Sequence, residues 1–112
     1  MVKLARNNYL SIKVSFCNEI YQFCEAKELN YENVRKLMVL DPRIGASHTQ
    51  VPGHDGKRGF GGTCFPKDTN SLQHEMKKNN VKSHIISAAI KRNKEIDRPE
   101  EDWNLNKGRA VI

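Results

Sequence analysis

The sequence predicts an all-α domain in which one long first helix packs with three shorter helices, with a glycine-rich loop set between the second and third. Three observations predict it. No proline or glycine interrupts the chain from Val2 to Lys27; apolar residues recur at helical spacing in three later segments; and the alternating pattern of strands is nearly absent.

The first segment carries Leu4, Leu10, Ile12, Val14, Phe16, Ile20, Phe23 and Cys24 on more than one face of a helix, which predicts burial on two sides. A chain of 112 residues is one domain with little interior to cover both faces. The reading therefore expects a homodimer through the long helix. Asn30 is placed to cap a second helix in which Tyr31, Val34, Leu37 and Met38 share a face and which Asp41-Pro42 closes. From Ile44 to Gly62, the glycines at 45, 53, 56, 59, 61 and 62, with Pro52, defeat regular structure and leave a long loop. Long loops in small domains are usually functional or disordered. Asp68 to Lys78, with Leu72 and Met76, reads as a third helix ended by Asn79-Asn80, and Ser83 is placed to cap a fourth whose apolar stripe is Ile85, Ile86, Ala89 and Ile90. From Asp97 onward come Pro99, an acidic cluster, Trp103 and the terminal Ala110-Val111-Ile112. Residues 1–96 thus read as the domain and 97–112 as a tail or truncated connector.

Composition narrows the function classes. At 38% hydrophobic and 29% charged, the chain is too apolar for wholesale disorder. A net charge of +6 leaves a polyanion open as a ligand. The basic residues are scattered, aromatics make up only 7%, and no nucleic-acid-binding motif is present, so a small basic nucleic-acid-binding protein is the minor alternative. Cys17, Cys24 and Cys64 are odd in number and lack zinc spacing, which predicts reduced thiols in a cytoplasmic protein. No apolar run is long enough to span a bilayer. His48, His54, His74 and His84 form no metal-ligand pattern and read as loop and surface residues, with no metal site expected.

The chemistry-bearing candidate is Cys64, set after Gly61-Gly62-Thr63 and before Phe65-Pro66-Lys67-Asp68. Glycines let another molecule approach the backbone closely, and a lysine three residues on favours the nucleophilic thiolate. The alternative from the residues alone is a buried thiol acting as a small apolar side chain. The whole run GFGGTCFPKD, Gly59 to Asp68, resembles the cysteine loop of the UDP-glucose/GDP-mannose dehydrogenase family. The resemblance continues through VPGHDGKRGFGG upstream, VKLARNNYLSIKVSFCNEI, similar to the helix that opens the family's central domain, and LDPRIG, similar to its next turn. It covers Val2 to the fourth helix and leaves the tail unmatched.

The resemblance implies oxidation of the C6 alcohol of a nucleotide sugar to a carboxylate in two hydride transfers to NAD. It assigns Cys64 as the nucleophile that captures the aldehyde as a thiohemiacetal, later a thioester, and Asp68 as the carboxylate that positions water. Lys3 and Asn7, four apart and so on one helical face, correspond to the pair that holds the developing oxyanion and water. Phe60, Gly61 and Gly62 would line the sugar site, Cys64 to Lys67 would meet the cofactor, and Arg43 would reach into the neighbouring subunit's substrate site. Without the resemblance, Lys3 and Asn7 read as surface side chains and Arg43 as a solvated turn residue.

A dinucleotide fold needs a strand, a glycine turn opening a helix and a later acidic residue, and this sequence has none of them in that order. The expectation is a central substrate-binding and dimerisation domain, inactive alone. Three roles fit: a part that works with a separately encoded cofactor-binding protein, a dimerising or regulatory module, or a truncated remnant. Which nucleotide sugar is preferred is not legible in the sequence.

Overall fold

The computed structural model describes residues 1–106, so Ala110-Val111-Ile112 lie outside the described residues. Four helices account for the architecture: α1 (Val2–Ala26), α2 (Tyr31–Met38), α3 (Cys64–Lys78) and α4 (His84–Arg92), the last running into a π-helical turn at Asn93–Asp97. A short 3-10 helix follows at Asp102–Asn106. Among the described residues there is no strand, and no helix is long and apolar enough to cross a membrane. Helix α1 is the spine, against which α2, α3 and α4 all pack.

The buried face of α1 differs from the expected apolar one. It consists of Asn8, Ser11, Ser15, Cys17, Asn18 and Cys24. Small polar side chains let neighbouring backbones come close, and some bond locally: Ser11 donates to the Asn7 carbonyl at 2.7 Å and Asn18 to that of Val14 at 2.8 Å, while Ser15 Oγ and Asn8 Oδ1 are buried without a partner among the described residues. The large apolar residues turn outward instead. Val2, Tyr9, Phe16 and Phe23, spaced seven apart, are each more than half exposed, so within this chain one side of α1 is buried and the other is an apolar seam.

Cys17, Cys24 and Tyr31 form a compact core, packed with Ile20, Tyr21, Val34, Met38 and Val51. Tyr31 meets Tyr21 edge-on, ring centres 5.5 Å apart, and donates its hydroxyl to the Thr49 carbonyl at 2.7 Å. Burial first, then its hydrogen bond with Cys17, raises the Tyr31 phenol far above its ordinary value, so it stays protonated. Asn30 caps α2 as expected, accepting from the Asn33 amide at 3.1 Å. The predicted α2 face loses Leu37, which is exposed while Tyr31, Val34 and Met38 turn inward.

Helix α3 begins at Cys64, earlier than the expected Asp68. The reason is Pro66: in the first turn of a helix the amide has no intrahelical acceptor, so proline costs nothing there. Asn80, at φ 60°, ends α3 where expected, in the left-handed region that asparagine tolerates. Ser83 precedes α4 without capping it; its hydroxyl pairs with that of Ser87 at 2.8 Å. Of the expected α4 stripe, Ile86 and Ala89 are buried whereas Ile85 is exposed.

Replacing Tyr31 by Phe removes a single oxygen, the hydroxyl that reaches the loop, and leaves the buried Thr49 carbonyl without that donor. Such an orphan costs about 1–3 kcal/mol, and Tyr31→Phe should lower the thermal midpoint by several degrees in a calorimetric scan. An unchanged midpoint would show that the loop is held elsewhere.

Candidate active site

The loop after α2 and the start of α3 enclose a cavity of about 550 Å³. Its walls include His48, Gln50, His54, Phe60, Gly61, Gly62, Cys64 and Arg98. Phe65 completes an aromatic wall, with its ring centre 6.4 Å from that of Phe60 and 5.8 Å from the His48 imidazole. Cys64 is exposed at the first residue of α3, in contrast to the buried Cys17 and Cys24. The reading of Cys64 as a buried apolar thiol therefore fails.

Side chains from distant elements hold the loop in place. The Gly59 amide donates to Asn18 Oδ1 at 3.1 Å. Asn93, in the π-helical turn, grips Phe60 on both sides, its Oδ1 accepting from the amide at 2.8 Å and its Nδ2 donating to the carbonyl at 2.9 Å. Arg98 donates from Nε to the Arg58 carbonyl at 2.9 Å, from Nη2 to Asp55 Oδ2 at 2.6 Å and from Nη1 to Asp102 Oδ1 at 3.4 Å. Burial alone would push the Asp102 carboxyl up, but Lys57, 2.7 Å away, and Arg98 outweigh it and hold the group below its ordinary value. Two glycines are required by this packing. A Cβ on Gly59, at φ 69°, would stand 2.8 Å from Asp97 Cβ, and one on Gly61 would fall inside the Arg98 guanidinium.

Behind Cys64, one turn along α3, Asp68 is buried and joined to α1. Asn7 Nδ2 donates to Asp68 Oδ2 at 2.7 Å, and Asn8 Nδ2 donates to the Asp68 carbonyl at 3.0 Å. Asn7 and Asp68, named separately as site residues in the sequence, are thus brought together, whereas Lys3, the expected partner of Asn7, is not part of the contact. Lys3, one turn before Asn7, and Lys67 are exposed and lie off the cavity wall. Arg43 stands apart, its side chain 88% exposed and forked onto Asp41 through bonds of 3.0 and 2.7 Å.

Comparison with known families matches residues 1–95 to the central domain of the UDP-glucose/GDP-mannose dehydrogenase family. The chain belongs to that family. Among curated proteins it is 37% identical over 95 residues to a UDP-glucose 6-dehydrogenase of Rickettsia bellii, covering 85% of this chain and 21% of that protein. The same enzyme name attaches to relatives from Streptococcus pneumoniae, 34% identical over 94 residues (84% of this chain, 22% of the relative), and from Rhizobium meliloti, 33% over 90 residues (80% and 20%). The chain spans about a fifth of the length of these relatives.

Set against the family match, Lys3, Asn7, Arg43, Cys64, Lys67 and Asp68 lie within the matched residues, while Arg98 and Asp102 lie beyond them. Arg98 reads in sequence as part of a tail, yet its side chain is 1% exposed in the wall of the cavity. His48 and His54 belong to the loop as expected, and in addition line the cavity; two histidines shortly before a glycine-flanked cysteine were the available signal. His74 and His84 are exposed on α3 and α4, and no metal-binding cluster occurs among the described residues.

The imidazole of His48 is held below its ordinary value of 6.5, first by burial and then by the positive charges of Lys13 and His54. A lowered histidine means that the unfolded chain binds the proton more readily, so stability from neutral His48 is full above pH 6.5 and declines as the pH falls through the folded value. Titrated by NMR, His48 should have a midpoint under 6.5, and Lys13→Met should raise it. A midpoint at or above 6.5 would contradict the half-buried placement of His48.

Proposed function

We propose that this chain is the substrate-holding and dimerising central part of a nucleotide-sugar 6-dehydrogenase, with Cys64 as its nucleophile. The observation that carries the reading is the exposed Cys64 thiol at the mouth of a cavity large enough for a small ligand, with the Asn7–Asp68 pair one helical turn behind it. In this reading the thiolate sulfur adds to the C6 carbonyl carbon of the aldehyde, and the carbonyl oxygen takes up the charge. Lys3 and Asn7 hold that oxygen, helped by first-turn amides of α3, which have no intrahelical acceptors. In the closing step, Asp68 takes a proton from a water whose oxygen attacks the thioester carbon; the carbon–sulfur bond breaks and Cys64 leaves as the thiolate.

The oxidant that this reading requires is NAD, whose chemistry, when bound, would be hydride acceptance. The described residues do not fit its binding by themselves, since none forms the strand and glycine turn that grip a dinucleotide pyrophosphate. Cys64 to Lys67 would supply a contact edge, and a cofactor domain, in the same polypeptide or another, would supply the rest. The substrate class is UDP-glucose or a related nucleotide sugar, lined by Phe60, Gly61 and Gly62. Reduced thiols suit a cytoplasmic setting.

A specific observation also favours an assembly role. The exposed seam of Val2, Tyr9, Phe16 and Phe23 runs along α1 at heptad spacing. Fully covering such a side chain contributes about 1.5–3 kcal/mol, so eight of them across a twofold interface reach the order of 10 kcal/mol, comparable with the cost of association. Arg43, its side chain 88% exposed and paired with its neighbour Asp41, would be the residue that reaches a partner's substrate site in such a dimer.

The test mixes the purified chain with a separately expressed cofactor domain of a family member and follows NADH formation with UDP-glucose and NAD. The expected result is turnover that vanishes in Cys64→Ala, no turnover by the pure chain, and a dimer in sedimentation that Phe16→Asp converts to monomer. Turnover surviving in Cys64→Ala would overturn the assignment of the nucleophile.

A further inference from the structure

The segment after residue 95 holds the most deeply buried charge in the described chain. Arg98 is 1% exposed, although arginine is rarely buried unless paired. Three acceptors receive it: the Arg58 carbonyl and the carboxylates of Asp55 and Asp102. Two of them, Asp55 and Arg58, belong to the glycine loop and the third, Asp102, to the 3-10 helix near the end of the described chain, so the planar fork ties the loop and that helix to one point. Gly61 is shaped to this guanidinium, having no room for a Cβ, and Gly59 is shaped to Asn93 and Asp97 just before it.

We propose that Arg98 is a positioning residue whose guanidinium sets the path of residues 55–62 in front of Cys64, so that the segment beyond the family match completes the cavity. Charge decides between this role and that of an anion subsite. Two carboxylates face Arg98, and Asp102 also binds Lys57 at 2.7 Å. The cluster of Arg98, Lys57, Asp55 and Asp102 sums to zero, which removes the net positive potential that would draw a phosphate, and leaves a neutral, fully paired brace. The consequence for chemistry rests on the reading of Cys64 as the reacting thiol; the brace itself does not.

The test is hydrogen–deuterium exchange of the intact chain, with the alkylation rate of Cys64 by iodoacetamide measured alongside. Arg98→Ala should speed exchange at the Gly59 and Phe60 amides tenfold or more, leave the middle of α1 and α3 unchanged, and shift the Cys64 alkylation rate at least threefold. Arg98→Lys should recover only part of the protection, because an ammonium cannot span three acceptors. Gly61→Ala should loosen the loop in the parent chain and add little in the Arg98→Ala chain, since its clash partner is then gone. Should Arg98→Ala fail to fold, Asp55→Asn, a change at a half-exposed side chain, should move the same two amides in the same direction. Exchange that rises equally along the whole chain would reduce Arg98 to a general stabiliser and overturn the proposal, as would unchanged exchange at Gly59 and Phe60 in whichever variant folds. None of these readouts uses a nucleotide sugar or NAD, so this proposal and the dehydrogenase reading can fail separately.

Discussion

Buried backbone amides and carbonyls need partners, and a glycine-rich loop has no helix or sheet of its own to provide them. In this chain the partners of residues 58–60 are side chains from elsewhere: Asn18 from the middle of α1, Asn93 from the turn that ends α4, and Arg98 beyond it. Those contacts bind the two ends of the fold to the loop. They also determine where the loop delivers the chain, through Gly61 and Gly62, to the first residue of α3. The exposed thiol of Cys64 and the cavity beside it are consequences of that pinning.

The same constraint explains the inward face of α1. A side chain that must accept from the Gly59 amide has to be polar, and helices that must approach α1 closely need small residues opposite them, so Asn8, Ser11, Ser15 and Asn18 occupy the side that a sequence pattern would reserve for leucine. Asn8 repeats the device against α3 by donating to the Asp68 carbonyl. The true apolar core is consequently small, centred on Cys17, Cys24 and Tyr31, and the large apolar residues of α1 lie outside it. A domain of this size has little further surface to bury on its own.

The helices were legible where local chemistry controls them. The uninterrupted first segment, the Asn30 cap and the Asn79-Asn80 stop all act within a turn or two of their own position. What depended on tertiary partners was not legible: the outward turn of Leu37 and Ile85, the failure of Ser83 to cap, and the entry of Arg98 into the cavity wall. The early start of α3 was readable in principle, since proline in a first turn is harmless. Within the site, glycines beside Cys64 pointed to an accessible thiol, and the resemblance named Asn7 and Asp68 each as a site residue without their contact, which the structure makes at 2.7 Å. Asn93 and Arg98 left no local signature, because their partners, Asp102 apart, are backbone atoms and a carboxylate more than thirty residues away.

The proposal that joins these parts is that the pinned loop presents one thiol of three at a cavity that takes a nucleotide sugar. Its most direct test is timed alkylation of the folded chain, with each cysteine followed by peptide mass spectrometry, in the presence and absence of UDP-glucose. The account predicts that Cys64 is modified well before Cys17 and Cys24 and that UDP-glucose slows its modification. Equal modification of all three cysteines in the folded chain, or a Cys64 rate indifferent to saturating UDP-glucose, would contradict it.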